Sequence, residues 1–241
     1  MMKRFLSFFA VMLLPVIGIS DNTKVLVVTG GHSFEREPFF ALFDALEGVN
    51  WEEAIQPEAN RLMENEQLDD YDVLVFYDMY QEISQEQQAA FLRLLKAGKP
   101  MLFLHHALVS YQPWDEFERI IGGRYFDEKR YPMALENGFS TYRHDTPVPV
   151  QIVQDNHPVT KGLADFIMFD EVYGNFRVLP TVVPLLKTTH AESSPIIGWE
   201  NHYESSTIIY LQPGHDHHAY QDENYRKLIR QAIAYLAEGK K

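Results

Sequence analysis

The chain has 241 residues, with 21 basic and 34 acidic side chains, a formal net charge of −13 and no cysteine. Without cysteine it can form no disulfide, no thiolate nucleophile and no thiolate metal ligand. A surface this acidic repels phosphate backbones and anionic lipid, which argues against nucleic acid and membrane surfaces as partners, whereas a neutral ligand such as a sugar remains compatible with it.

The first twenty residues have the three-part pattern of a secretory signal. Residues 3–4 are basic, residues 5–19 are almost wholly apolar, and small side chains precede a cleavage point after Ser20. The apolar run of about 15 residues is shorter than the roughly 20 that a membrane-spanning helix needs. We therefore predict that residues 1–20 are a signal peptide, that the protein is exported to the periplasm or the extracellular space, and that residues 21–241 form one domain.

The first half of the mature chain alternates apolar runs with amphipathic segments. Continuous apolar runs, which indicate strands buried on both faces, occupy residues 24–30, 72–77 and 101–104. Amphipathic spacing predicts helices at residues 37–46, 84–96 and 114–121. Short links between alternating strands and helices are typical of a parallel, doubly wound sheet.

The second half of the chain is less regular. Strand candidates, separated by proline and polar turns, lie at residues 148–153, 182–187, 195–199 and 207–211. Some of them are expected to pair antiparallel at one edge of the sheet. Residues 222–237 form an amphipathic helix that closes the chain. The predicted fold class is therefore α/β, with a mostly parallel sheet and an irregular, partly antiparallel second half.

Histidines follow three of the predicted strands at the point where each strand ends. In chain order they are His32, His105, His106, His215, His217 and His218. The carboxyl ends of parallel strands open on a common crevice, which is the usual ligand site of open α/β sheets. We therefore expect a histidine-rich pocket at this edge of the sheet.

Seven stretches match those of one known family in the same order along nearly the whole mature chain: Thr29-Gly-Gly-His-Ser33, Asp70-Tyr-Asp-Val-Leu-Val75, Gly98-Lys-Pro-Met-Leu-Phe-Leu-His-His-Ala107, Ile121-Gly-Gly123, Asp155-Asn-His-Pro-Val-Thr-Lys-Gly162, Asp170-Glu-Val-Tyr173 and Gln212-Pro-Gly-His215. The chain thus resembles the ThuA-like (trehalose-utilisation) family, which belongs to the class I glutamine-amidotransferase-like superfamily. The resemblance implies a flavodoxin-like, Rossmann-type three-layer sandwich. It also implies a role in the metabolism of disaccharides or oxidised (keto) sugars.

The resemblance also bears on the site. In the related amidotransferases the turn after the third strand carries a nucleophilic cysteine, which this chain lacks, so glutaminase chemistry is excluded. The predicted catalytic residues are His32, His105, His106, Glu171 and His215. The predicted substrate-binding residues are Asp170, Tyr173, His157 and His217. Glu171 and Asp170 enter through the family-like Asp-Glu-x-Tyr stretch, whereas His144, His190 and His202 are assigned to surface loops.

Two mechanisms remain open for this pocket. A divalent metal of the zinc, manganese or nickel kind would be held by His32, His105, His215 and Glu171, and would polarise a sugar carbonyl or activate water. Without a metal, a histidine and a carboxylate would act as acid and base in a sugar-processing hydrolase, lyase or isomerase. No Gly-x-Gly-x-x-Gly pattern precedes a helix, so no nucleotide cofactor is expected. The alternative function is a non-catalytic carbohydrate-binding protein with the same pocket; the oligomeric state is not predicted.

Overall fold

The computed structural model of the protein describes residues 22–130 and 138–239. The predicted signal peptide, residues 1–20, lies outside the described residues. Among the helices of these two ranges, none combines the length and the apolar character that crossing a bilayer requires.

Within the described ranges the strands are β1 (Thr23–Gly30), β2 (Val49–Ile55), β3 (Val73–Asp78), β4 (Met101–Leu104), β5 (Gly123–Arg124), β6 (Thr141–Ile152), β7 (Phe166–Gly174), β8 (Arg177–Val178), β9 (Val183–Lys187), β10 (Ile196–Tyr203) and β11 (Ser206–Leu211). The helices are α1 (Arg36–Asp44), α2 (Glu58–Glu64), α3 (Gln85–Lys96), α4 (Asp115–Ile121), α5 (His217–Gln221) and α6 (Glu223–Glu238). A 3-10 helix, His105–Val109, follows β4 directly.

Nine of these strands form one mixed sheet in the order β2-β1-β3-β4-β11-β10-β9-β6-β7. The first five strands in this order run parallel to one another, and the remaining pairs are antiparallel. The predicted α/β class, with its parallel first half and antiparallel later half, is confirmed. The carboxyl ends of β1, β3, β4 and β11 therefore open on one edge of the sheet.

The sheet is covered on both faces because successive strand residues point to opposite sides. In β1, Val25 and Val27 pack in one core with side chains of α1 and α6. The intervening Leu26 and Val28 pack in a second core with side chains of α2, α3 and α4. These two cores and the sheet between them make the three-layer sandwich that the sequence resemblance implied.

Several elements lie where the sequence analysis predicted none, among them β2, α2 and β7. β2 is an edge strand, and its sequence Val-Asn-Trp-Glu-Glu-Ala-Ile lacks the continuous apolar run of a central strand. α2 is a short helix of 7 residues. β7, at the opposite edge of the sheet, contains two consecutive acidic residues that in most sequences would indicate a loop.

Asp78, the last residue of β3, is a buried carboxyl with 1 % exposure. Its Oδ2 atom accepts a hydrogen bond from Nε2 of Gln56 at 3.1 Å. Burial outweighs the hydrogen bonds and raises the pKa of Asp78 to about 7. Between pH 4 and 7, roughly, the folded chain therefore keeps a proton that an unfolded carboxyl releases. The contribution of Asp78 to the free energy of unfolding consequently falls as pH rises through this window.

We predict that Asp78→Asn removes this part of the pH dependence. The amide keeps an oxygen acceptor for Gln56 and has no titrating proton. Urea denaturation measures the free energy of unfolding of both proteins. From pH 5 to pH 8, the wild type should lose about 2–3 kcal/mol of this free energy relative to the variant. Asp70→Asn, at an exposed position, is the control and should show no such shift. Parallel pH profiles for wild type and Asp78→Asn would contradict the prediction.

Candidate functional site

Three histidines meet at the carboxyl edge of the parallel strands. His32 comes after β1, His105 after β4 and His215 after β11. The imidazole centroids of His105 and His215 lie 5.2 Å apart, and those of His32 and His215 lie 6.3 Å apart. The crevice that the strand ends predicted therefore holds all three imidazoles.

The carboxylate of Glu171, in β7, lies at the centre of this group. Its Oε2 atom is 2.8 Å from Nε2 of His105 and 3.2 Å from Nδ1 of His215. Its Oε1 atom is 3.1 Å from Nδ1 of His144. Burial by itself would raise the pKa of Glu171, but the hydrogen bonds and charges of His105 and His215 outweigh it and lower that pKa below the usual value. The carboxylate is therefore ionised and draws the imidazoles together.

His105 has hydrogen-bond acceptors on both sides. Nδ1 lies 2.6 Å from the carbonyl oxygen of Gln212, which can only accept, so Nδ1 carries a hydrogen. Nε2 faces the carboxylate of Glu171, a second acceptor. A neutral imidazole has a single N–H, so this contact requires a second proton or a cation at Nε2. A backbone carbonyl bound to the distal nitrogen is also what orients metal-ligating histidines.

The backbone of His105 is left-handed, with φ +45°. This conformation costs a residue with a side chain about 1–2 kcal/mol. It places the buried His105 ring directly at the end of β4, and the Tyr210 hydroxyl donates to the His105 carbonyl oxygen at 3.0 Å. Backbone strain of this kind is frequent at functional sites.

Asp170 and Glu171 point to opposite sides of β7, as successive strand residues do. The carboxylate of Asp170 accepts hydrogen bonds from the backbone N–H groups of Gly214 at 2.8 Å and His215 at 2.9 Å. It thereby holds the turn that carries His215. The sequence analysis predicted a substrate contact for Asp170; the structure instead places it behind the turn, outside the cavity wall.

A cavity of about 150 Å³ opens over these side chains. Its wall is formed by His32, Met79, Tyr80, His106, Val109, Tyr125, Tyr142, His144, Glu171, Tyr173 and His215. Tyrosines combine an apolar ring face with a polar hydroxyl, and imidazoles add further hydrogen-bonding groups. This lining suits a small polar molecule with apolar faces, and it includes the predicted substrate residue Tyr173.

His106 is buried between His32 and Tyr77, with ring centroids 4.6 and 4.4 Å away respectively. Among the described residues, no group hydrogen-bonds to either of its ring nitrogens. Burial, followed by the neighbouring histidines, lowers the pKa of His106 well below its usual value, so the ring is neutral. A buried polar atom without a partner costs about 1–3 kcal/mol, which a bound ligand would offset.

Two predicted substrate-binding histidines lie outside the cavity wall. His157 is bonded to Glu200, with Nε2 3.0 Å from Oε2, and packs on Tyr235. Since β6 begins beside the cavity and runs away from it, the turn that follows β6 leaves His157 at a distance from the cavity. His217 binds the carboxylate of Glu35 through its backbone N–H at 2.7 Å and through Nδ1 at 2.8 Å.

Among the residues that contact the carboxylate of Glu171, His144 is the one that the sequence analysis missed. It lies in β6 beside Asp145, whose φ of +53° accompanies a register shift between β6 and β7. This bulge directs His144 towards Glu171. No strand ends at His144, so its position in the sequence carried no sign of this role; the pairing of β6 with β7 creates it.

A family model described as ThuA, trehalose utilisation, matches residues 24–236. A solved structure of a ThuA-like protein from Parabacteroides merdae aligns with a TM-score of 0.72 and 18 % identity over 90 % of each chain. One from Bacteroides uniformis aligns with a TM-score of 0.68 and 18 % identity, over 97 % of this chain and 95 % of that chain. The resemblance found in the sequence motifs is thereby confirmed.

The amidotransferase relationship is visible in the fold. A glutamine amidotransferase from Thermotoga maritima aligns with a TM-score of 0.50 and 13 % identity, over 89 % of this chain and 98 % of that chain. At such identities these structural likenesses show the fold alone. A search of curated protein sequences finds no match.

We predict that His105→Gly unfolds with a higher free energy than His105→Ala. Both variants lose the imidazole, but only alanine retains the cost of the left-handed backbone, about 1–2 kcal/mol. Urea denaturation of the two proteins measures the difference. The control is Ala107→Gly in the same 3-10 helix, where the backbone is not left-handed and glycine should destabilise. An alanine variant as stable as the glycine variant would rule out strain at His105.

Proposed function

The chain belongs to the ThuA family, described by trehalose utilisation, and we propose that it is an exported enzyme acting on a disaccharide, a glucoside or a keto-sugar. The family supports a role in carbohydrate metabolism. The proposed mature protein begins at Asp21, after the predicted signal peptide. The proposed reaction site is the cavity above Glu171, where imidazoles and a charged carboxylate surround space for a sugar ring.

One observation carries the proposal: three potential ligand atoms form a compact triangle. Nε2 of His105, Nδ1 of His215 and Oε2 of Glu171 are separated by 2.8, 3.2 and 3.3 Å. Tetrahedral zinc with bonds of about 2.0–2.2 Å has ligand atoms roughly 3.3–3.6 Å apart. Two imidazoles and a carboxylate are also a known catalytic zinc set. Since Nε2 of His105 requires a proton or a cation at this point, the residues fit a divalent metal.

We infer that His105, His215 and Glu171 hold zinc, manganese or nickel. Such a metal, when bound, polarises a carbonyl oxygen or activates water. The sequence analysis also counted His32 as a ligand, but its ring lies against His106 rather than against the triangle. We therefore assign His32 to the substrate.

The charge states of the imidazoles agree with His215 as a metal ligand and His32 as a substrate contact. Burial, followed by the charge of His215, lowers the pKa of His32, so this ring is neutral and can accept a proton from the substrate. Burial also lowers the pKa of His215, but its hydrogen bond to Glu171 outweighs this effect and raises that pKa above the usual value. His106 remains neutral and can donate a hydrogen bond to a sugar oxygen without adding charge to the cavity.

Metal binding is the first test. We expect the purified protein to bind one equivalent of zinc, manganese or nickel in calorimetric titrations. Protons compete for Nδ1 of His215, so the affinity should fall as pH drops through the raised pKa of that ring. His215→Ala and Glu171→Gln should each weaken binding by about 100-fold or more. His202→Ala, which removes an exposed histidine beside Glu200, is the control and should bind normally. Full affinity in both site variants would exclude the proposed ligands.

Turnover is the second test. Metal-loaded protein is screened against disaccharides, glucosides and their keto forms, with product detected by chromatography. We expect His215→Ala to abolish turnover and His32→Ala to lower kcat by about 10²–10⁴-fold, while circular dichroism shows an unchanged fold. Saturable sugar binding without any product would instead favour the non-catalytic carbohydrate-binding alternative.

A further inference from the structure

The face of the β6–β7 hairpin that carries Glu171 continues beyond the cavity as an exposed apolar strip. Residues two apart in a strand share a face, so Phe169 and Ile167 lie on the same side of β7 as Glu171. They are 40 % and 68 % exposed. Their register partners in β6 are Pro147 and Pro149. We call Pro147, Pro149, Ile167 and Phe169 the apolar strip.

An apolar surface is unexpected on this side of the hairpin. The opposite side supplies Val148 and Met168 to the hydrophobic core, so the strip faces away from that core. A sheet face that is open to water normally carries polar side chains. Of the 5 large hydrophobic side chains exposed within residues 22–130 and 138–239, three belong to this hairpin: Tyr142, Ile167 and Phe169. A contiguous apolar surface of this kind indicates a binding site.

The strip is continuous with the cavity. Tyr142 and Tyr173, which both line the cavity, are register partners at one end of the hairpin. The next contact along the hairpin joins His144 of β6 to Glu171 of β7. Phe169 follows two residues further along β7, about 7 Å from Glu171. A group that extends from the cavity along the hairpin therefore meets Phe169 first.

We propose that the apolar strip binds the aglycone of a glycoside whose sugar ring occupies the cavity, and that this aglycone is an aryl or alkyl group. The inference rests on the proposed function, because it takes the cavity as the sugar site. Imidazoles and tyrosines in the cavity match the hydroxyls of one ring. The side chains of the strip, two prolines, an isoleucine and a phenylalanine, have no hydrogen-bonding group. A second sugar ring would set its hydroxyls against them, whereas an apolar aglycone would bury apolar area.

The experiment compares methyl and phenyl glucoside, each also as its keto derivative, by calorimetric titration of the metal-loaded protein. We expect the phenyl compound to bind at least about tenfold more tightly. The double variant Ile167→Ser/Phe169→Ser should lose this preference while keeping its affinity for the methyl compound. Ile55→Ser is the matched control, since Ile55 is 51 % exposed on the distant edge strand β2, and it should keep the preference.

The outcomes separate the two proposals. Equal affinity of the wild type for methyl and phenyl compounds would overturn the assignment of the strip and leave the proposed function standing. Failure of all the sugars to bind would overturn both. If the double variant converts a dimer into a monomer in analytical ultracentrifugation, the strip is an interface between copies of the chain and the aglycone assignment is wrong. Thermal unfolding checks that the variants are folded.

Discussion

A buried carboxylate that contacts three imidazoles organises the carboxyl edge of this sheet. An unpaired charge in a protein interior is strongly unfavourable, so Glu171 is tolerated because His105, His215 and His144 approach it. The same contacts fix the imidazoles, which come from three separate parts of the chain. Folding and assembly of the site are therefore coupled, because the buried charge depends on these partners.

Two groups behind the cluster fix the positions of its histidines. The carbonyl of Gln212 sets the tautomer of His105, and the carboxylate of Asp170 holds the turn before His215. Strand alternation places Asp170 in this supporting position and Glu171 in the cavity wall. Side chains held in this way from strands and their immediate turns keep the geometry that chemistry requires.

The two halves of the sheet contribute differently. The parallel half delivers histidines at the ends of β1, β4 and β11. The antiparallel half supplies the carboxylate, the imidazole of His144 at a β-bulge and the apolar strip that leads away from the cavity. The site thus depends on side chains from both halves of the sheet, and the fold alone does not determine its function.

The sequence by itself determined four of the five parallel strands, β1, β3, β4 and β11, and the histidines that follow three of them, because buried strands form continuous apolar runs in the sequence. The family motifs added Glu171 and Asp170 to the predicted site. Asp170 was predicted to contact substrate, but in the structure its carboxylate binds the turn that carries His215. Only the tertiary structure decided that His144 joins the cluster and that His157 does not. Both depend on the pairing and direction of β6, an antiparallel strand whose bulge has no signal in composition or periodicity.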